Sequence, residues 1–237
     1  MEQLVVSEIF GPTVQGEGPS CGRRAAFVRL GLCNLDCSWC DTPYTWDWQG
    51  KNGPPQSRAD LVSMAPAEIL AVIVPLDVDL VVITGGEPML QRVGLGPLVT
   101  SLVRTGHRVE VETNGTILPN DLLLAVVDQW NVSPKLPHSG VDLDRAWKPE
   151  VLRELADTER AALKVVCKTP EDVDLVADLI AAHHLPFDRS EVWVMPEGID
   201  GSTIETHAQA IARTAIDHGY NLTTRLHVMV WGNERGV

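Results

Sequence analysis

Three cysteines crowd together at Cys33, Cys37 and Cys40, in the spacing C-x3-C-x2-C. Thiolates so placed on one short loop can converge on a single metal centre, and soft sulfur ligands select iron–sulfur clusters, zinc or copper(I). A closed tetrahedral zinc site needs a fourth ligand. Cys21 precedes the first main strand, and His138 and Cys167 are far along the chain, so no local residue completes such a site. A three-cysteine centre leaves one position open, and in a four-iron cluster the fourth iron would be free to bind a substrate or cofactor. The plainer alternative is three reduced, buried cysteines behaving as small hydrophobes. Cys21 and Cys167 read as spare thiols.

A cluster loop needs elements to hold it. Apolar, β-branched runs at 25–30, 79–83, 108–112, 129–132, 162–166, 191–195 and 224–230 read as strands, with an extra strand at 4–9. Most are apolar throughout, as strands buried on both faces are. Helical patterns lie between them at 66–74, 95–105, 121–126, 149–156, 170–183 and 204–218. Thr169 can cap the fifth of these, with Pro170 at its first position and Glu171 and Asp172 in its first turn. This alternation predicts an α/β fold of parallel strands with right-handed crossovers, an open sheet or a complete or partial barrel. One domain is expected over residues 1–237, with a Gly- and Pro-rich loop insertion at 49–58. In such folds the loops at the strands' C-terminal ends share one face, which carries the site.

Composition narrows the partners. The chain has 237 residues with 19 Lys and Arg against 32 Asp and Glu, a net charge of −13. That argues against a nucleic-acid partner, because phosphate binding needs a basic face. No apolar stretch is long enough to span a bilayer, since 69–83 is broken by Pro75, Asp77 and Asp79. Glu2 stands where a secretory signal would place Lys or Arg. Five cysteines, an odd number, favour a reducing compartment over a disulfide framework. A cytoplasmic protein without a membrane partner is expected.

Downstream of the cysteines, Thr84-Gly85-Gly86-Glu87-Pro88 follows the second main strand. The cysteine spacing followed by this segment resembles the radical S-adenosylmethionine (SAM) enzymes. The resemblance implies a partial (β/α) barrel, a 4Fe-4S cluster on Cys33, Cys37 and Cys40, SAM on the open iron, and an external one-electron donor. The segments Val14-Gln15-Gly16-Glu17-Gly18, Phe27-Val28-Arg29-Leu30, Asp41-Thr42-Pro43-Tyr44-Thr45-Trp46 and Val132-Ser133-Pro134-Lys135 are similar to those of the 7-carboxy-7-deazaguanine synthase family. That family converts 6-carboxy-5,6,7,8-tetrahydropterin to 7-carboxy-7-deazaguanine with loss of ammonia, requires magnesium, and forms homodimers.

The same resemblance implies residue roles. Thr42 becomes the magnesium ligand, with Asp41 its competitor or a SAM or loop contact. Gly85, Gly86 and Glu87 form the SAM loop, with Glu87 able to accept hydrogen bonds from SAM's ammonium group. Ser133, Pro134 and Lys135 form a further SAM segment, Glu112 could accept ribose hydroxyls, and Trp39 packs beside the cluster or anchors the loop. Val14, Gln15, Gly16, Glu17, Arg29 and Thr84 belong to the substrate. An amide and a carboxylate suit a pterin edge, and Arg29 can grip a carboxylate or serve as a structural ion pair. His227 and Trp231 stand where the family closes over its substrate.

Two other readings compete: a radical SAM activase of a glycyl-radical protein, and a non-catalytic metal-binding module. Anaerobic reconstitution with iron and sulfide is expected to give a brown protein whose visible absorbance bleaches on reduction. A colourless zinc protein would remove the cluster altogether.

Overall fold

The computed structural model describes residues 3–237. In chain order the elements are β1 (Leu4–Val14), β2 (Arg24–Leu30), β3 (Val62–Met64), α1 (Pro66–Ile73), β4 (Leu80–Gly85), α2 (Arg92–Arg104), β5 (Arg108–Thr113), α3 (Asp121–Val126) and β6 (Gln129–Val132). They continue with α4 (Leu143–Ala146), α5 (Pro149–Ala156), β7 (Ala161–Cys167), α6 (Pro170–Ala182), β8 (Val192–Pro196), α7 (Gly201–His218), β9 (Asn221–Leu222) and α8 (Leu226–Trp231). One sheet runs in the order β3-β1-β2-β4-β5-β6-β7-β8-β9. From β2 to β9 every neighbouring pair is parallel, while β1 joins β2, and β3 joins β1, antiparallel. The end strands β3 and β9 are not neighbours, so the structure is a partial barrel. Among the described residues no helix is long and apolar enough to cross a membrane.

The two faces of the sheet follow the strand period of two. On β2, Ala26, Val28 and Leu30 join Val81 and Ile83 of β4 and Val109 and Val111 of β5 in the main core beneath the helices. The alternate residues point the other way. Ala25, Phe27, Leu80 and Val82 form a smaller apolar cluster, with Phe10 stacked on Phe27 at 5.0 Å between ring centroids. Further along the same face stand Arg29, Thr84, Glu112 and Lys164, which line a cavity. The concave side is therefore apolar near one end of the strands and polar at the C-terminal end, where Arg29 sits in register with Thr84.

The expected strand at 224–230 is instead a helix. Parallel pairing with β8 stops after Asn221 and Leu222, and the Leu226 N–H bonds the Gly16 carbonyl at 2.9 Å. Arg225 is pulled inward to Glu17 at 3.0 Å and to the Gly198 carbonyl at 2.7 Å. Ion pairing thus turns the chain away from the sheet edge, and the apolar run gains little burial: Met229 and Val230 remain exposed. Residues 49–57 carry no strand or helix; their turn is organised by Asp47, whose carboxylate accepts the backbone N–H groups of Lys51 and Asn52.

The Gly85-Gly86 pair is required where the chain leaving β4 crosses the end of β2. Gly85 has φ +135°, and an added Cβ would lie 2.1 Å from the Leu30 carbonyl oxygen; at Gly86 it would lie 2.0 Å from that of Leu32. The close approach is thus to backbone at the start of the cluster loop. Gly85→Ala is expected to destabilise the protein by about 2–4 kcal/mol, a fall of roughly 5–12 °C in Tm for a chain of this size. Thermal unfolding checks this, and an unchanged Tm would show that the crossing tolerates a side chain.

Candidate active site

The cavity at the C-terminal end of the strands has a volume of about 510 Å³, and Cys33, Cys37 and Cys40 all line it. Their loop leaves β2 and is braced on several sides. Asn34 is bonded by Asn114 at 2.9 Å and donates to Thr116 at 2.8 Å. The Ser38 N–H bonds the Ser139 carbonyl at 2.8 Å, and the Asn52 amide bonds the Cys37 carbonyl. Trp46 donates its indole N–H to Cys40 Sγ at 3.3 Å. All three cysteines are free thiols. Burial pushes Cys33 up to about 12 and raises Cys37, so both are neutral until a metal displaces their protons. Among the described residues no three His, Cys, Asp or Glu side chains stand close enough together to hold one metal ion. Three soft thiols on a braced loop rim, opening into one chamber, fit the wider 4Fe-4S cluster.

Most of the expected SAM and substrate residues share this cavity: Trp39, Asp41 and Thr42; Gly85, Gly86 and Glu112; Ser133 and Lys135; and Val14, Gln15, Glu17, Arg29 and Thr84. Gly16, Glu87 and Pro134 are not among its lining residues. Glu87 is fully buried, and its carboxylate accepts from the N–H groups of Met89 (2.9 Å) and Asn114 (2.7 Å) and from the Thr113 hydroxyl (2.7 Å). Burial pushes its pKa up, against the lowering effect of these donors. Glu87 thus braces the Gly-Gly loop against the end of β5. Gly16 makes room for the C-terminal segment, since a Cβ there would lie 1.9 Å from His227 Nδ1. His227 lines the cavity and Trp231 does not.

Lys135 donates to Ser133 at 2.9 Å and stands 5.7 Å from the Trp39 ring, which hydrogen-bonds His138 at 3.1 Å. Thr42 Oγ1 lies 3.7 Å from Cys40 Sγ. Arg29 spends its Nε on Glu8 at 2.6 Å, and Glu8 also holds Tyr44 at 3.0 Å and Arg235 at 2.9 Å. Burial opposes ionisation of Glu8, but Arg29 and Arg235 hold it below the ordinary carboxylate range.

Two cations at the centre of the site are absent from the sequence-based assignment. Lys164 is 4% exposed in the otherwise apolar β7. It pairs with Glu17 and lies 3.8 Å from Glu112, which accepts from Gln15 at 3.1 Å and Thr84 at 2.7 Å. Arg225 pairs with Glu17 and with Asp41 of the cluster loop. Burial works against the charge on Glu17, yet Lys164 and Arg225 hold it far below its ordinary value; Asp41 is lowered by Arg225 against the same burial. One lysine interrupting Ala-Ala-Leu-Lys-Val-Val-Cys is a visible signal, because a buried ammonium demands a partner. Arg225 had no comparable signal, lying in a segment read as a strand.

These pairs fix a sign for acid stability. Carboxylates with lowered folded pKa contribute stability that is present above their unfolded values of 4.5 and 3.8 and is lost as pH falls through the folded ones. The urea-unfolding free energy of the apoprotein is expected to drop between about pH 5 and about pH 3, and to drop less in Glu17→Gln. Equal slopes would show that Glu17 is not held ionised by its neighbours.

Comparison with known proteins agrees with this geometry. Residues 28–180 match the family model described as the radical SAM superfamily. The chain is 39% identical to a 7-carboxy-7-deazaguanine synthase of Pyrobaculum aerophilum over 98% of its own length and 96% of that protein. It is 30% identical to the Bacillus subtilis enzyme of the same name over 99% and 98%. The crystal structure of QueE from Escherichia coli superposes with a TM-score of 0.72 at 25% identity, covering 95% of each chain. A partial barrel with three thiols at its mouth and full-length likeness to these proteins place the chain in the radical SAM superfamily, as a member of its 7-carboxy-7-deazaguanine synthase family.

Proposed function

We propose that the protein contracts 6-carboxy-5,6,7,8-tetrahydropterin to 7-carboxy-7-deazaguanine with release of ammonia, using a 4Fe-4S cluster, SAM and magnesium. The observation that carries this reading is the sharing of one 510 Å³ chamber by the three thiols and the ring of Arg29, Thr84, Glu112 and Lys164. Its volume lies within the range of small-molecule sites. The bound cofactors supply reductive cleavage of SAM and hydrogen-atom abstraction; the protein supplies position and exclusion of water.

Cys33, Cys37 and Cys40 would hold the cluster. Trp39, Ser133 and Lys135 form a wall with one ammonium, suited to SAM's carboxylate. With Nε held by Glu8, Arg29 keeps its two Nη groups outside the described hydrogen bonds, and they form an end-on fork for the substrate carboxylate. Thr42 would give magnesium one oxygen, leaving the other positions to substrate and water, as that ion prefers. Gln15 and Glu17 are already engaged with Glu112, Lys164 and Arg225. Reading of a pterin edge by Glu17 therefore means sharing an oxygen with one of these cations. A homodimer and the absence of a nucleic-acid partner belong to the same reading, supported by the family resemblance and by the acidic charge respectively.

The reconstituted protein, given SAM, reductant, magnesium and the carboxytetrahydropterin, is expected to form the deazaguanine acid. Deoxyadenosine without that product would remove the substrate assignment and leave the radical SAM class standing. Arg29→Ala is expected to raise KM by about 10- to 100-fold with cluster content unchanged. Loss of iron from this variant would make Arg29 a structural residue of the Glu8 pair.

A further inference from the structure

Substrate and product of the proposed reaction differ by one ammonia, and that balance constrains the last step. In the tetrahydropterin the carbon bearing the carboxyl group is joined to the pyrimidine ring through a nitrogen; in the deazaguanine acid it is joined directly. Ring contraction therefore leaves that nitrogen as an amine on the carboxyl-bearing carbon, in a compound isomeric with the substrate. To become an aromatic five-membered ring, this isomer must lose the amine together with a proton from the adjacent ring carbon. Such an elimination calls for a group that takes a proton and gives it up again near neutral pH.

The carboxylates at the centre of the chamber are committed elsewhere. Glu17 lies between Lys164 and Arg225, and Arg225 also takes Asp41. Glu112 stands 3.8 Å from Lys164 and accepts from Gln15 and Thr84. A proton placed on any of them would leave a buried cation poorly matched. His227 is the exception. Its ring lines the same chamber as Arg29 and Thr84, and the charged groups that act on it, Glu17, Arg225, Asp41 and Glu112, do so through space and not by hydrogen bonds. The backbone holds it in place: the Leu226 N–H bonds the Gly16 carbonyl at 2.9 Å, and a Cβ at Gly16 would lie 1.9 Å from the ring's Nδ1. With Nδ1 against Gly16, Nε2 is the nitrogen left for a ligand. Burial holds the His227 pKa below the ordinary 6.5, against the raising effects of Glu17, Asp41 and Glu112, so the imidazole is neutral at pH 7 and able to accept a proton.

We propose that His227 is the acid–base residue that expels ammonia from the ring-contracted isomer, an assignment that rests on the substrate reading above. Nε2 takes the proton from the adjacent ring carbon, and the C–H pair becomes the new ring C=C bond. The C–N bond breaks with its pair on nitrogen, which takes the proton back from the imidazolium and departs as ammonia. Atoms and electrons balance, the imidazole is restored, and no oxidant is needed. Glu17, Asp41 and Glu112 favour the imidazolium during its brief existence.

The test uses the reconstituted protein with SAM, reductant, magnesium and carboxytetrahydropterin carrying deuterium on the carboxyl-bearing carbon. In His227→Gln, release of ammonia and of the deazaguanine acid is expected to fall by about 100-fold or more. Iron content and transfer of deuterium to SAM or deoxyadenosine should stay at the wild-type level, and a compound of the substrate's mass but different retention should accumulate. In the wild-type protein, ammonia release is expected to decline with acid below pH 6.5 while deuterium transfer does not, a measurement independent of how the variant folds. Wild-type ammonia release in His227→Gln would overturn the proposal. So would a parallel loss of deuterium transfer and ammonia, in the variant or with acid, because it would make His227 a substrate-positioning residue. If the wild-type protein releases neither ammonia nor the deazaguanine acid, the substrate reading fails and this assignment with it, and the two failures are thereby distinguished.

Discussion

The arrangement of this site depends on a buried ammonium. Lys164 sits midway along a strand whose seven residues are all buried, and taking its charge out of water is tolerable only because Glu17 and Glu112 meet it. Those two carboxylates come from segments distant in the chain, one from the loop after β1 and one from the end of β5. Glu17 then recruits Arg225, and Arg225 reaches Asp41 on the cluster loop and the Gly198 carbonyl after β8. A single charge on β7 thus fixes the N-terminal loop, the C-terminal segment and the exit of the cluster loop relative to one another. Burial works against the charges on Lys164 and Arg225, yet Glu17 and Glu112 beside the first, and Asp41 and Glu17 beside the second, make both hold their protons more tightly than usual.

Much of this was legible in residue patterns, for identifiable reasons. Strand 129–132 and helices 121–126 and 149–156 match their observed bounds, because apolar runs bounded by turn residues or started by Asn120 and Pro149 leave little choice of register. The cysteine spacing and the Gly-Gly-Glu-Pro segment stood out because few structures require such residues together. What stayed hidden were interactions between segments distant in sequence. Arg225 meets Asp41 across 184 positions and Glu17 across 208, and no local pattern encodes such pairs. The helix at 226–231 was misread for the same reason: its residues suit a strand, and a distant ion pair decided otherwise.

Glu87 illustrates how a correct motif can carry a different physical task. A carboxylate beside two glycines invites a ligand, yet its three donors are Met89, Thr113 and Asn114. Asn114 in turn holds Asn34 on the cluster loop, and the Glu87 N–H bonds the Leu32 carbonyl at 2.8 Å. Glu87 therefore couples the loop after β4, the end of β5 and the cysteine segment. As a brace, it positions loops on which the cysteines and the glycine pair stand.

The cysteine loop faces two environments whose electrostatics differ. Toward the cavity, the charge on Lys135 partly opposes the burial that keeps the Cys37 thiol protonated. Toward the exterior, Lys51 and Arg145 pair with Asp36, which precedes Cys37 directly. Three thiolates in place of three thiols would otherwise gather negative charge in a chain already at −13, a cost that burial increases. Cations on both sides of the loop offset it, and their placement follows from the ligands' own chemistry. The net charge thus describes the surface as a whole, while Lys135 acts on Cys37 from the cavity and Lys51 and Arg145 pair with Asp36 from outside.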